Sequence, residues 1–150
     1  MIGALLVKRT AARSFEALNR RDLEAFLKAW ADNATFVYPG DLTDVSGTFV
    51  GKAACWAWFE RFLEQFPVLH FTVKHVSVSN LFAMTGSNVV AITLDVNEMN
   101  REGASFRNSG VTIVTVQQGK AVYVQDYLFQ TGEEFREAWG QGKRTESLRP

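Results

Sequence analysis

A single cysteine in 150 residues, Cys55, rules out an internal disulfide, and with only two histidines beside it no Cys/His cluster has metal-ligand spacing. Neither sign of charge is in excess. Sixteen Lys and Arg balance sixteen Asp and Glu, so the basic footprint of a nucleic-acid binder is missing. No stretch approaches the roughly 20 apolar residues that cross a bilayer, which excludes a membrane partner of that kind. The apolar "MIGALLV" at the start precedes Lys8 and Arg9 instead of following them. A secretory signal has the opposite order, so the expected compartment is a reducing cytoplasm. Internal repeats and low-complexity runs are also lacking.

Aromatic residues are what the chain has in quantity: twelve Phe, four Trp and three Tyr, together 13%. Rings at that density build either a plain core or the wall of an apolar cavity. The length suits one domain, read as 1–140 with a polar tail at 141–150. Apolar Leu5, Ala12, Phe15 and Leu18 recur near helical spacing over residues 4–19. Asp22 is placed to cap a second helix carrying Leu23, Phe26, Leu27 and Trp30. "ATFVYPG" reads as a strand closed by Pro39 and Gly40, and "GDLTDVSGTFVG" as a loop. Gly51 starts a third helix with Cys55, Trp58, Phe59, Phe62 and Phe66 on one face, and Pro67 stops it. Four antiparallel strands are predicted beyond it, at 70–79, 88–98, 106–117 and 121–130, then a short helix in "GEEFREAWG". Helices first and strands after make an α+β domain with the helices on one face of a curved sheet.

In the last strand, Val122, Val124, Asp126 and Leu128 share one side. Three are apolar and the fourth is a carboxylate, whose burial without a partner costs several kcal/mol or forces proton uptake. A two-residue Gln118-Gly119 hairpin sets Asp126 opposite Val111. A Glu102-Gly103 loop sets Val111 opposite Leu94, in one apolar face with Val90, Ile92 and Val96. Asp95 falls on the other face in this register, and a bulge or an odd-length loop would bring it across. His75, sharing parity with Phe71 and Val73, is a second acid/base candidate.

The segments "ALNRRDLEAFLKAWADNATFVYPG", "GTFVGKAACWAWFERF" and "GKAVYVQDYLF" resemble the nuclear transport factor 2-like superfamily, and within it the SnoaL-like branch. The resemblance implies a cone-shaped, strongly curved antiparallel or mixed sheet with helices packed on its concave face around a pocket. It also implies a homodimer through the open sheet face. Three enzyme templates of the superfamily differ in what this chain retains. The base and oxyanion-binding positions of ketosteroid isomerase-like members fall on Tyr38, Ser14 and Val111. Limonene epoxide hydrolase-like members imply an acid pair at Asp126 and Asp95, with their bridging arginine replaced by Thr93. SnoaL-like polyketide cyclases imply an acid/base aspartate at Asp126.

The resulting expectation is a cofactor-free enzyme performing cyclisation, isomerisation or hydration on a small apolar molecule. Asp126 and Asp95 are the catalytic candidates. Tyr38, Trp30, Phe15, Trp58, Phe62, Val111, Val124 and Leu128 are the substrate-binding candidates. Two alternatives share the fold: a non-catalytic binder of a small apolar ligand, and a dimeric interaction module with a vestigial pocket.

Overall fold

The computed structural model describes residues 2–80 and 87–142, with side chains from Leu5 onward. Two helices, α1 (Ile2–Asn19) and α2 (Leu23–Leu27), lead into strands β1 (Trp30–Tyr38) and β2 (Gly47–Val50). Helix α3 (Lys52–Gln65) follows, then β3 (Val68–Val78), β4 (Ser87–Met99), β5 (Ser105–Gln117), β6 (Lys120–Leu128) and α4 (Glu133–Ala138). The six strands form one sheet in the order β2-β1-β6-β5-β4-β3. All neighbours are antiparallel except β1 and β6, which run parallel. Among the described residues no helix is long and apolar enough to cross a membrane.

Local chemistry accounts for the helix boundaries. The Asp22 carboxylate accepts from the Ala25 amide at 3.0 Å and caps α2. Gly51 precedes α3 at φ 92°, a left-handed conformation that side chains disfavour. The other end of α3 is closed from a distance. The Arg21 guanidinium donates to the Leu63 carbonyl and, at 2.9 Å, to that of Phe66, meeting acceptors that a helix C-terminus leaves unpaired. Asn19, at the end of α1, donates to the Phe71 carbonyl at 2.9 Å and accepts from the Phe71 amide at 2.7 Å. That pair ties the helix to the edge of β3.

Three differences from the sequence reading stand out. Trp30 opens β1 instead of ending α2, because the helix lasts only five residues. The loop after Pro39 contains β2, a four-residue edge strand pairing with Thr35–Tyr38. Residues 81–86, in the break between β3 and β4, and 143–150, in the expected tail, lie outside the described residues.

The register holds the third difference. Gln118 and Gly119 do form the two-residue turn, at φ 50° and 77°, and Gln117 pairs with Lys120. A bulge then intervenes: Val116 faces Ala121 while Thr115 faces Tyr123, leaving Val122 as the extra residue. Asp126 consequently pairs with Thr112, not Val111. Between β4 and β5, Met99 pairs with Ser105, so the connection has an odd number of residues, with Gly103 at φ 88°. Thr112 therefore pairs with Ile92. The two one-residue offsets add to two between β6 and β4, from the expected Leu94 to Ile92, so parity is kept and Asp126 shares a face with Ile92, Leu94 and Val96 as expected. On β5 a single offset applies, and Thr112 and Val114 point inward in place of Val111 and Ile113. Ala121 likewise replaces Val122 on the inner face of β6.

Candidate active site

Between the inner sheet face and the helices lies a cavity of about 340 Å³. Its wall is mostly rings and aliphatic groups. Phe36, Tyr38, Trp58, Phe59 and Phe62 pack with centroids 4.5 to 6.4 Å apart, mostly tilted or edge-on, as ring quadrupoles favour. Trp58 is fixed by donating its indole N–H to the Val45 carbonyl at 2.9 Å.

The structure places Tyr38, Trp30, Phe15, Trp58, Phe62, Val124 and Leu128 along this wall, together with Asp126. Val111 also borders the cavity, but it alternates with Thr112 and pairs with Tyr127 and Thr93, so its strand position belongs to the outer face. Asp95 is not brought to the site. It lies on the outer face, where its Oδ2 meets Lys74 Nζ at 3.3 Å and its Oδ1 accepts from Ser109 Oγ at 2.6 Å. The Ser109 bond, then Lys74, hold its carboxyl below the usual aspartate range. The odd-length loop that would carry Asp95 across is present, but the bulge in β6 reverses its effect. His75 is also turned outward. A shift between Val73 and His75 pairs it with Thr93, and it is exposed. Cys55 is fully buried in the core.

Asp126 is therefore the only one of the two expected acids in the cavity. Thr112 Oγ1 donates to its Oδ1 at 2.6 Å, and among the described residues no cation pairs with it. Burial pushes its carboxyl up to about 6, against the lowering effect of the Thr112 bond. Near neutrality it is largely ionised yet more basic than an aspartate in water.

A second carboxyl is present that the sequence reading passes over. Glu98 is 8% exposed and borders the same cavity. Burial pushes it up to about 8, so at neutral pH it carries its proton. Its signal is legible: Val90, Ile92, Leu94, Val96 and Glu98 keep one parity, and the inner row read from sequence stops one step short, at Val96. Thr112 is hidden, because a bulge and an odd loop both have to be known to place it.

The polar capacity of the cavity can be found by subtraction. Thr10 donates to the Leu6 carbonyl at 2.8 Å. Asn88 is engaged with Ser79, Asn80 and its neighbour's amide, and Asn108 with Gln130 and Ser109. The Tyr38 hydroxyl accepts from Trp139 Nε1 at 3.3 Å, which leaves its own proton available. Burial first, then the Glu98 and Asp126 charges, raise its pKa well above that of an ordinary phenol, so it stays protonated. What remains for a ligand is the second Asp126 oxygen, the Glu98 carboxyl, the Tyr38 O–H and the Ser14 hydroxyl on α1. Among the described residues no group of three or more His, Cys, Asp or Glu is placed to hold a metal ion.

A model of the SnoaL-like domain matches residues 11–124. The chain belongs to the SnoaL-like family. Solved structures share its fold, that of the nuclear transport factor 2-like superfamily. An NTF2-like protein of unknown function from Burkholderia pseudomallei is 23% identical, with 86% of this chain and 94% of that one covered and a TM-score of 0.69. Bal32a, from a soil-derived mobile gene cassette, is 18% identical over 91% and 98% of the two chains, with a TM-score of 0.72. TerC, co-crystallised with polyporic acid, is 19% identical over 88% and 96%, with a TM-score of 0.69. No curated protein matches the sequence significantly. The SnoaL-like match ends at Val124, two residues before Asp126, so the case for that carboxylate rests on the cavity itself.

Proposed function

We propose that this SnoaL-like protein is a cofactor-free enzyme that moves a proton on a small, mostly apolar organic molecule, with Asp126 as the acid/base. One observation carries the reading: a carboxylate without a cationic partner among the described residues stands in an aromatic and aliphatic cavity large enough for a ligand. Such a group is mostly ionised at neutral pH yet basic enough to take a proton and give it back. Cyclisation, isomerisation and hydration each contain a transfer of this kind. Thr112 fixes one carboxylate oxygen and leaves the other to the ligand, while Trp30, Trp58 and Tyr38 shape the space around the reacting atoms. TerC, of the same fold, was crystallised with polyporic acid, in line with a cavity that accepts an organic ligand. The outer face, with Tyr127 49% and Phe129 72% exposed, is the surface on which this reading sets a homodimer.

The alternative is a binder that does no chemistry. The bond from Thr112 favours it to a degree, since a carboxylate held by a hydroxyl can be purely structural. Two probes separate the readings. Acetylnaphthalene in heavy water reports proton abstraction by exchange of its methyl hydrogens, and styrene oxide reports acid-assisted opening by water. An enzyme of the proposed kind accelerates at least one, and Asp126→Asn lowers that rate by about 100-fold or more. Acceleration of neither, or rates unchanged by Asp126→Asn, leaves the binder.

A further inference from the structure

Glu98 is a buried acid with no bonded partner among the described residues, and such groups are rare in stable interiors. Its rung neighbours on β3 and β5, Leu69 and Phe106, are buried and apolar. The cations around it are turned or tied elsewhere. His70, Arg101 and Arg107 are exposed; Arg101 meets Glu64 at 4.0 Å, and Arg107 donates to Asn97 at 2.6 Å. Arg21 is taken up by carbonyls at the end of α3, and Arg136 of α4 by Asp41 at 2.7 Å. The described residues contain no fully enclosed polar atom without a partner, so the Glu98 carboxyl keeps access to the cavity it borders. Among the described residues that cavity is lined by no Lys, Arg or His, and Tyr38, Glu98 and Asp126 are its only titratable side chains. Glu98 does not share the Asp126–Thr112 station. It lies six residues along β4 from Ile92, the residue in the row of Asp126, roughly 20 Å of extended strand. Its own end of the chamber is aromatic. Phe106 packs on Phe135 with centroids 6.3 Å apart, and Phe135 on Tyr38 at 6.0 Å. The Tyr38 phenol, raised first by burial, feels the Glu98 charge more than that of Asp126.

We infer that Glu98 is the seat of an ammonium group: the ligand of this cavity is an apolar amine, its nitrogen against the Glu98 carboxylate and the rings of Tyr38 and Phe135, its carbon body running on toward Asp126. The inference rests on the cavity being a ligand site, which the enzyme and the binder share, and not on Asp126 acting as a base. An amine supplies what the acid lacks. A neutral amine takes the Glu98 proton onto its nitrogen lone pair, the O–H bond breaking as the N–H bond forms. A ligand that arrives as the ammonium ion sends the Glu98 proton to water instead. Either route ends in a carboxylate–ammonium pair. An alkylammonium keeps its proton up to about pH 10, whereas Glu98 keeps its own up to about 8, so the transfer runs toward nitrogen. The apolar surroundings screen the pair poorly and strengthen it. Desolvation opposes it, but Glu98 is already out of water before the ligand enters. Nearby rings attract the same cation through their quadrupoles. A ligand carboxylate would find two acids and no positive partner.

The test compares naphthylethylamine with naphthylethanol and naphthylacetate, its neutral and anionic counterparts, by titration calorimetry at pH 7 and pH 8.5. At pH 8.5 the amine should bind about tenfold or more tightly than the alcohol, with the acid weakest. Its affinity should rise about tenfold from pH 7 to pH 8.5, because Glu98 gives up its proton near pH 8 while Asp126 is already largely ionised. At pH 7, buffers of different ionisation enthalpy should report close to one proton released per amine bound. Glu98→Gln, neutral and of the same size, should lose the amine preference, the pH step and the proton release while keeping the alcohol affinity. Asp126→Asn should keep all three. An alcohol bound as tightly as the amine, an amine bound without proton release, a preference that survives in Glu98→Gln, or no binding of any of the three would overturn the assignment. A preference lost in Asp126→Asn would move the amine to the other acid and overturn it equally. Hydrogen exchange and epoxide opening, which decide the role of Asp126, do not enter this comparison, so either proposal can fail while the other stands.

Discussion

Thr112 and Asp126 sit directly opposite each other on β5 and β6, and the threonine hydroxyl donates to the aspartate at 2.6 Å. That bond is what limits the rise in the Asp126 proton affinity, since burial alone pushes the other way. Thr112→Val keeps the shape and removes the donor. The alkaline-rising limb of Asp126-dependent exchange, near pH 6 in the parent, should move up by about one unit. A limb that stays in place means the hydroxyl has no influence on the titration.

Replacing Asp126 with Asn separates chemistry from folding. The amide matches the carboxylate in size and can still accept from Thr112, while the cost of a buried charge disappears. Thermal unfolding at pH 7 should show an unchanged or slightly higher Tm alongside the loss of turnover of about 100-fold or more. A Tm lowered by many degrees would make the carboxylate a structural element.

Glu98 should make the protein less stable as the pH rises. Its folded-state value, about 8, lies above the 4.5 of an unperturbed glutamate, so the folded chain holds a proton that the unfolded chain has released. Stability therefore falls with increasing pH across that interval. Above the Asp126 titration, between pH 7 and 8, the fall should be roughly 1 kcal/mol, softened by any water the cavity admits. Urea titrations at the two pH values measure it, and Glu98→Gln should remove most of the difference. A wild-type curve that is flat over this interval would show that Glu98 is ionised in the fold.

Gly110 stands where β5 and β6 approach closely. A Cβ built there would stand 2.2 Å from the Tyr127 carbonyl oxygen, and backbone cannot swing aside as a side-chain end can. Gly110→Ala should cost about 2 kcal/mol or more by denaturant titration. A neutral result would require β5 and β6 to separate without loss.

The Asn19 pair with Phe71 secures the helix that covers the cavity. Asn19→Ala leaves an amide and a carbonyl of β3 without their side-chain partner and should lower stability by about 1–3 kcal/mol. Asn19→Asp, which retains only the acceptor, should fall in between. Equal losses for the two would show that the bond accepted from the Phe71 amide contributes nothing.

Residue parity carries the sequence reading far and fails at identifiable points. Val124, Asp126 and Leu128 reach the cavity because alternation over a short strand tolerates no ambiguity once one face is apolar. Trp30 reads as helical because its spacings of four from Phe26 and three from Leu27 fit a helix, although the five-residue α2 ends before it. The strand Gly47–Val50 is too short and too exposed to announce itself by pattern. Resemblance draws Asp95 toward Asp126, although its own alternation places it outside, with Lys74 as its partner. Glu98 requires only one more step along a row already counted. Thr112 requires tertiary information: a bulge in one strand and the length of one loop, neither of which leaves a compositional trace.

The spare residue at Val122 decides which way the last strand faces. Pair it into the ladder and every side chain downstream changes sides: Gln125 and Tyr127 would enter the chamber, and the acid would be turned out into the solvent. Removing Val122 altogether leaves Tyr123 opposite Thr115 and the acid where it stands, so the chemistry of the domain depends on that one residue being left out of the count and not on its side chain.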